Sequence, residues 1–230
     1  MDKPKPHSGP ATASAAPAAS APVFDSAFRH RLFDLFRWRR DVRRFKSQPL
    51  DEGVLEELLA AANLAPSVGL SQPWRFVTVD DPKRRAAVQA NFTAANREAL
   101  ADYCGEQAQR YARLKLAGLK EAPLQLAVFC DEATLQGHGL GRKTMPEMLR
   151  YSVVAAVQNL WLAARSRDVG VGWVSILDPE ALRRDLDLPA DWQLVAYLCI
   201  GIPQAETTEP ELETAGWEER RPLDDMLLRR

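Results

Sequence analysis

Residues 151–165 read YSVVAAVQNLWLAAR, and after a short connection residues 170–175 read GVGWVS. In the first stretch Val153, Val154, Ala156, Val157, Leu160, Trp161, Ala163 and Ala164 cover nearly the whole circumference of a helix. A helix without a polar face has to be covered on every side, inside a core or between subunits. The second stretch is β-branched and aromatic, and the spacing predicts a strand over Val171–Ile176. A buried helix delivering the chain directly into a strand makes this a layered fold with a sheet.

The flanking sequence supplies the rest of that sheet. Leu124–Cys130 is apolar at nearly every position, as a strand buried on both faces is, and Leu194–Ile200 reads the same way. Arg75–Val79 alternates and predicts a further strand. Asp25 or Ser26 can cap a helix with Phe28, Leu32, Leu35 and Phe36 on its apolar face, ending at Trp38. Asp51 can cap a second, carrying Leu55, Leu58, Leu59 and Ala62 and closed by Pro66; Pro179 starts a short one. Pro82–Lys120 is helical but polar, with thin apolar stripes (Phe92 and Ala95; Tyr111, Leu114 and Leu119), the mark of a surface or lid element. Gly137–Met145 is a glycine-containing loop, and the last thirty residues form a polar extended arm. The mixture predicts an α+β or three-layer α/β domain.

A chain of 230 residues with 46% hydrophobic and 27% charged residues suits one folded domain. Lys and Arg total 30 against 31 Asp and Glu, so no general basic field exists to hold nucleic acid or an anionic membrane. Any phosphate must be held by local groups. Cys104, Cys130 and Cys199, and His7, His30 and His138, are dispersed and match neither a zinc site nor a disulfide framework, so no metal is expected. Reduced thiols point to the cytoplasm. Residues 1–22 are mostly Ala, Pro and Ser, without the aliphatic run of a signal peptide. They are expected to be a disordered tail before a domain over residues 23–230.

Three stretches could carry chemistry. In Arg39-Arg40-Asp41-Val42-Arg43 an extended backbone puts Arg39, Asp41 and Arg43 on one face. Two guanidiniums flanking a carboxylate can fix a phosphate by bidentate hydrogen bonds and leave the acid beside the ligand; a solvated run of ion pairs fits the same pattern. Ala65–Trp74 combines small residues with Ser67 and Gln72, which can hydrogen-bond the edge of a flat ligand, or form an ordinary loop. Gly170–Ser175 lets the backbone at Gly172 and Trp173 face a ring system, with Ser175 beyond; a core strand with incidental glycines is the competing account. Gly170-Val171-Gly172 lacks a third glycine and follows a helix, so it is no dinucleotide fingerprint.

Taken in order, Arg39–Arg43, Ala65–Gly69 with Gln72-Pro73-Trp74, Gln158–Arg165, Gly170–Ser175 and Glu209–Leu212 resemble the nitroreductase superfamily of FMN proteins, and within it the flavin-fragmenting branch. The resemblance covers about residues 24–225. It implies a nitroreductase-like, FMN-binding three-layer α+β sandwich with a mostly antiparallel sheet, assembled as an intertwined homodimer with FMN at the subunit interface. It also implies FMN contacts from Arg39, Arg40, Asp41, Val42 and Arg43, with Arg39, Arg43 and Arg220 on the phosphate. Ser67 and Gln72 are implied at the ring or ribityl chain, and Gly172, Trp173 and Ser175 at the ring. Ordinary members commonly carry a serine where this chain has Asp41. The fragmenting branch carries the aspartate, a serine corresponding to Ser175, and a lid over the flavin matching residues 91–122.

That branch implies a reaction in which reduced FMN is the substrate and molecular oxygen the co-substrate. The products are 5,6-dimethylbenzimidazole and D-erythrose 4-phosphate. Asp41 is then the expected proton acceptor, Ser175 the group that orients the ring, and a separate NAD(P)H-dependent flavin reductase the source of reduced FMN. An NAD(P)H-dependent FMN nitroreductase that recycles its flavin, and a non-catalytic flavin-binding protein, are the alternatives.

Overall fold

A computed structural model describes residues 21–230; the expected disordered tail, apart from residues 21 and 22, lies outside the described residues. In chain order the elements are α1 (Ser26–Trp38), α2 (Val54–Asn63), a 3-10 turn (Val68–Leu70), β1 (Trp74–Thr78), α3 (Pro82–Ala101), α4 (Gly105–Arg113) and β2 (Leu124–Asp131). Then follow α5 (Met148–Arg165), β3 (Gly170–Val174), α6 (Pro179–Asp185), β4 (Trp192–Gly201), α7 (Glu211–Thr214) and a second 3-10 turn (Leu223–Met226).

The sheet runs β1-β2-β4-β3 with every neighbouring pair antiparallel. Phe76 pairs with Val128, Ala127 with Tyr197 and Gly172 with Cys199; a bulge between Val128 and Phe129 shifts the β2–β4 register. Alternation along the central strands builds two cores. Leu126, Val128 and Cys130 of β2 and Leu198 of β4 pack against α2 and α5. Ala127, Phe129, Tyr197 and Cys199 face the opposite layer, with Val88 of α3 and Leu182 of α6. The α+β sandwich with an antiparallel sheet is thus the fold found. Among the described residues, no helix is long and apolar enough to cross a membrane.

Some local expectations need correction. The N-cap of α2 is Gly53, in a left-handed conformation (φ +82°), while Asp51 accepts the Val54 amide through its backbone carbonyl at 3.3 Å. Burial falls on Val54, Leu58 and Ala62, one helical turn apart. Asp25 does cap α1, its carboxylate accepting from the Phe28 amide at 2.7 Å. The α1 apolar face is not covered within the chain, however: Phe28, Phe33 and Phe36 are exposed. Helix α5 buries Val153, Ala156, Val157, Leu160 and Ala164 but leaves a stripe through Tyr151, Val154 and Gln158 open.

Of the buried polar side chains, Ser71 has a hydroxyl without a partner among the described residues, whereas Gln125 is engaged at both ends of its amide. The buried Gln125 side chain accepts from the Tyr197 hydroxyl at 2.7 Å and donates to the Leu119 carbonyl at 2.8 Å, which ties the end of the 91–122 segment to the sheet. Burial pushes the Cys130 and Cys199 thiols up to about 12, so both stay protonated and act as packing groups.

Leu160 sits on α5 with no exposed surface. Leu160→Ala should therefore cost about 2–5 kcal/mol. The measurement is urea unfolding, with a lower midpoint expected at an unchanged slope.

Candidate functional site

Helix α1 ends at Trp38 and is capped by Arg39, whose amide still reaches the Leu35 carbonyl at 3.0 Å while its own backbone turns extended. From there the chain runs beside the edge strand β3. Asp41 forms a parallel bridge with Val171, and the Val42 amide donates to the Val171 carbonyl at 3.0 Å. Glycine makes this approach possible: a Cβ at Gly172 would lie 2.0 Å from the Val42 carbonyl oxygen. Further on, the Lys46 amide donates to Ile202 O at 2.8 Å, and Phe45 is buried with its ring against Gly118.

The crossing fixes Asp41. Its Oδ1 accepts the Trp173 amide at 2.8 Å, and its Oδ2 accepts Nε and a terminal nitrogen of Arg43 at 3.0 and 2.9 Å. The other terminal nitrogen of Arg43 donates to the Lys115 carbonyl at 3.2 Å. In this geometry Arg43 is not a free phosphate arm; it grips Asp41 and joins it to the 91–122 segment. The Trp173 amide, expected to face a ring, is given to Asp41, and Gly172 serves the backbone crossing.

Arg39 takes a different path from Arg43. Its guanidinium lies over the Trp161 ring, 4.9 Å from the centroid, while the indole N–H of Trp161 donates to the Arg40 carbonyl at 3.2 Å. Burial lowers the Arg39 pKa; Asp41 opposes the shift and Arg220 adds to it. Burial also lowers that of Arg40, reinforced by Arg39 and Arg220 and opposed by Glu213. The three guanidiniums therefore crowd one another electrostatically. Arg39 and Arg40 border a cavity of about 460 Å³ whose walls also include Trp38, Trp161, Arg165 and Pro203. Arg165 is held by Glu206 at 2.7 Å and Arg44 by Glu211 at 2.5 Å. Among the described residues, neither Arg39 nor Arg40 forms an ion pair with a carboxylate, so their charge is available to an anion.

The remaining predicted residues lie elsewhere. Ser67 caps the first 3-10 turn, its hydroxyl accepting the Gln72 amide at 3.1 Å, and the turn is tied to α5 by the Val68 amide donating to Ser152 at 3.0 Å. Gln72, at φ +41°, donates to Asn63 and accepts from Gln136, both at 3.2 Å. Ser152 and Trp161 are ~14 Å apart along the helix axis at 1.5 Å per residue. One chain therefore does not bring Ser67 and Gln72 to the arginines. Ser175 is exposed just past β3 and outside the cavity wall. Sequence reasoning missed the contacts of Trp161 with Arg39 and Arg40, reading it only as one of the apolar residues of a helix buried in a core or between subunits. The available signal was its N–H, which a buried tryptophan must pair.

The pattern of the Nitroreductase family matches residues 36–202. The chain belongs to the nitroreductase family. It is 61% identical over 203 residues to a 5,6-dimethylbenzimidazole synthase of Rhodospirillum rubrum, covering 88% of this chain and 96% of that protein. A protein of the same name from Rhodobacter capsulatus is 50% identical over 201 residues, covering 87% of this chain and 97% of the other. Among solved nitroreductase-fold structures, iodotyrosine deiodinase bound to FMN and 3-iodo-L-tyrosine superposes with a TM-score of 0.65 at 28% identity, over 76% of this chain and 91% of that one. A Desulfovibrio desulfuricans protein in complex with FMN gives 0.61 at 25% identity, over 86% and 96%.

Gly172→Ala would force the Val42 carbonyl away from β3. Overpacking of this kind costs about 1–3 kcal/mol, or roughly 2–4 °C in Tm per kcal/mol for a chain of this size. Calorimetry should show that fall, and an unchanged Tm would mean that the crossing tolerates a Cβ.

Proposed function

We propose that this chain is a 5,6-dimethylbenzimidazole synthase, which fragments reduced FMN with molecular oxygen to 5,6-dimethylbenzimidazole and D-erythrose 4-phosphate, the pyrimidine part of the ring system leaving as a third, oxidised fragment. The observation that carries the reading is the 61% identity across 96% of the Rhodospirillum rubrum synthase. The site's chemistry fits: uncommitted guanidiniums at a partly apolar cavity suit a phosphate dianion on a largely apolar ligand.

When bound, reduced flavin supplies the electrons that oxygen takes up. Arg39, Arg40 and Arg220 hold its phosphate. Asp41 is the proton acceptor at the ribityl carbon next to the ring. The Trp173 amide and Arg43 fix its orientation, and Oδ1, which accepts one hydrogen bond where Oδ2 accepts two, keeps acceptor capacity for a proton. Ser175 supplies a hydroxyl to orient the ring. The 91–122 segment acts as the lid that excludes water. It is braced by the Tyr111 hydroxyl on Asn96 at 2.8 Å and by Tyr103 and Tyr111 packed on Trp217 of the C-terminal arm. A lid closed over the ring blocks nicotinamide, so a separate NAD(P)H-dependent flavin reductase supplies the reduced FMN.

The same reading makes the protein a homodimer. Ser67 and Gln72 reach the flavin from the second copy, and the exposed Phe33, Phe36, Tyr151 and Val154 form the apolar surface that the copy covers. Sedimentation at micromolar concentration should show a dimer; a stable folded monomer would sink the shared site.

The deciding experiment is chromatography of the products after air is admitted to the protein with anaerobically reduced FMN. The benzimidazole is expected, and return of intact oxidised FMN alone would overturn the assignment. Asp41→Asn should still bind reduced FMN but form product at least ~100-fold more slowly, the size of a lost general base. Product at the wild-type rate from that variant would remove Asp41 from the proton transfer.

A further inference from the structure

We propose that Trp161 is a positioning residue that makes the site select phosphorylated flavin, by holding Arg39 and the Arg40 backbone in the geometry that receives the phosphate. This rests on the reading of the arginine cluster as the FMN phosphate site.

The argument starts from the electrostatics of that cluster. Arg39, Arg40 and Arg220 repel one another, and long arginine side chains have many rotamers, so an unrestrained Arg39 would turn away into solvent. A carboxylate could hold it, as Asp41 holds Arg43 and Glu206 holds Arg165, but would also neutralise it. The Trp161 ring, 4.9 Å from the guanidinium carbon, restrains the cation through its face. A guanidinium lying on an aromatic face keeps its charge and presents its edge N–H groups outward, as bidentate phosphate binding requires.

The same side chain controls the neighbouring backbone. Its indole N–H donates to the Arg40 carbonyl at 3.2 Å, which fixes the chain where Arg39 and Arg40 diverge. Trp161 itself has little freedom. It is 8% exposed, rises from the rigid α5 beside the fully buried Val157, Leu160 and Ala164, and meets the Trp173 ring at 6.2 Å. One indole thus preorganises both the charge and the backbone on which it is mounted.

The test is anaerobic titration of wild type, Trp161→Leu, Trp161→Phe and Arg39→Ala with reduced FMN and, separately, reduced riboflavin, which lacks the phosphate. Circular dichroism checks the fold of each variant. Trp161→Leu should bind reduced FMN roughly tenfold more weakly, the combined size of a cation–π contact and a neutral hydrogen bond, with riboflavin affinity unchanged. Trp161→Phe keeps a ring face but not the N–H, and should lose roughly threefold on FMN alone. FMN affinity unchanged in folded Trp161→Phe, or an equal loss for both flavins in either variant, would overturn the proposal. Those results, with phosphate preference reduced in Arg39→Ala, would leave the phosphate site itself standing. Preference undiminished in Arg39→Ala, or missing from wild type, would overturn the phosphate assignment and this role with it.

Discussion

The site depends on one close backbone crossing, where Asp41 and Val42 pass over Gly172 at a distance that admits no side chain. The bridge to Val171 sets the register of the crossing, and that register puts the Asp41 carboxylate beside the Trp173 amide. A shift of one residue would turn Asp41 to the opposite side and present Arg40 or Val42 in its place. The charged motif is therefore not a flexible surface run. It is an added edge to the sheet, with its backbone direction set by glycine and its side chains sorted by alternation.

The sorting shows in where the arginines go. Arg43, Arg44 and Arg165 each meet a carboxylate: Asp41, Glu211 and Glu206 respectively. Arg39 has an aromatic face and Arg40 has none of these carboxylates. Neutralised guanidiniums shape the wall, whereas those left charged give it an anion preference that a chain of net charge -1 does not have as a whole. The acidic residues of the C-terminal arm matter as much as the arginines, because they decide which arginines remain available.

Much of the fold was legible because it rests on local pattern. The strand over Leu124–Cys130 and the helix over Tyr151–Arg165 are visible from apolar spacing alone, and both cores grow from their faces. What escaped the sequence is non-local. Asp51 looks like a cap, but Gly53 in a left-handed conformation starts the helix two residues later. Alternation groups Arg39 with Arg43 on one face, yet the two side chains part, because their partners come from 72 residues away at Lys115 and from α5 at Trp161. The Trp173 amide could be foreseen as a donor but not assigned to Asp41, since its acceptor is 132 residues distant in the chain. The covered and open sides of α5 are likewise tertiary information: nothing in its composition says which apolar residues the chain itself will bury.

Arg43 connects these parts. It reaches Asp41 with two nitrogens and the Lys115 carbonyl with the third, so the carboxylate and the 91–122 segment share one guanidinium. That segment is fixed to the sheet beyond Lys115, where Gln125 holds the Leu119 carbonyl and Gly118 lies against Phe45. Before Lys115 it is braced on the C-terminal arm through Tyr111 and Trp217. Displacing α4 would thus pull on Lys115 first, because the Gly118 end cannot follow. Loss of the Lys115 contact would leave Arg43 bound to Asp41 alone and free to swing about that ion pair. The position of the 91–122 segment and the orientation of the Asp41 carboxylate are therefore not independent, and a substitution in α4 can turn that carboxylate without touching Asp41 or Arg43.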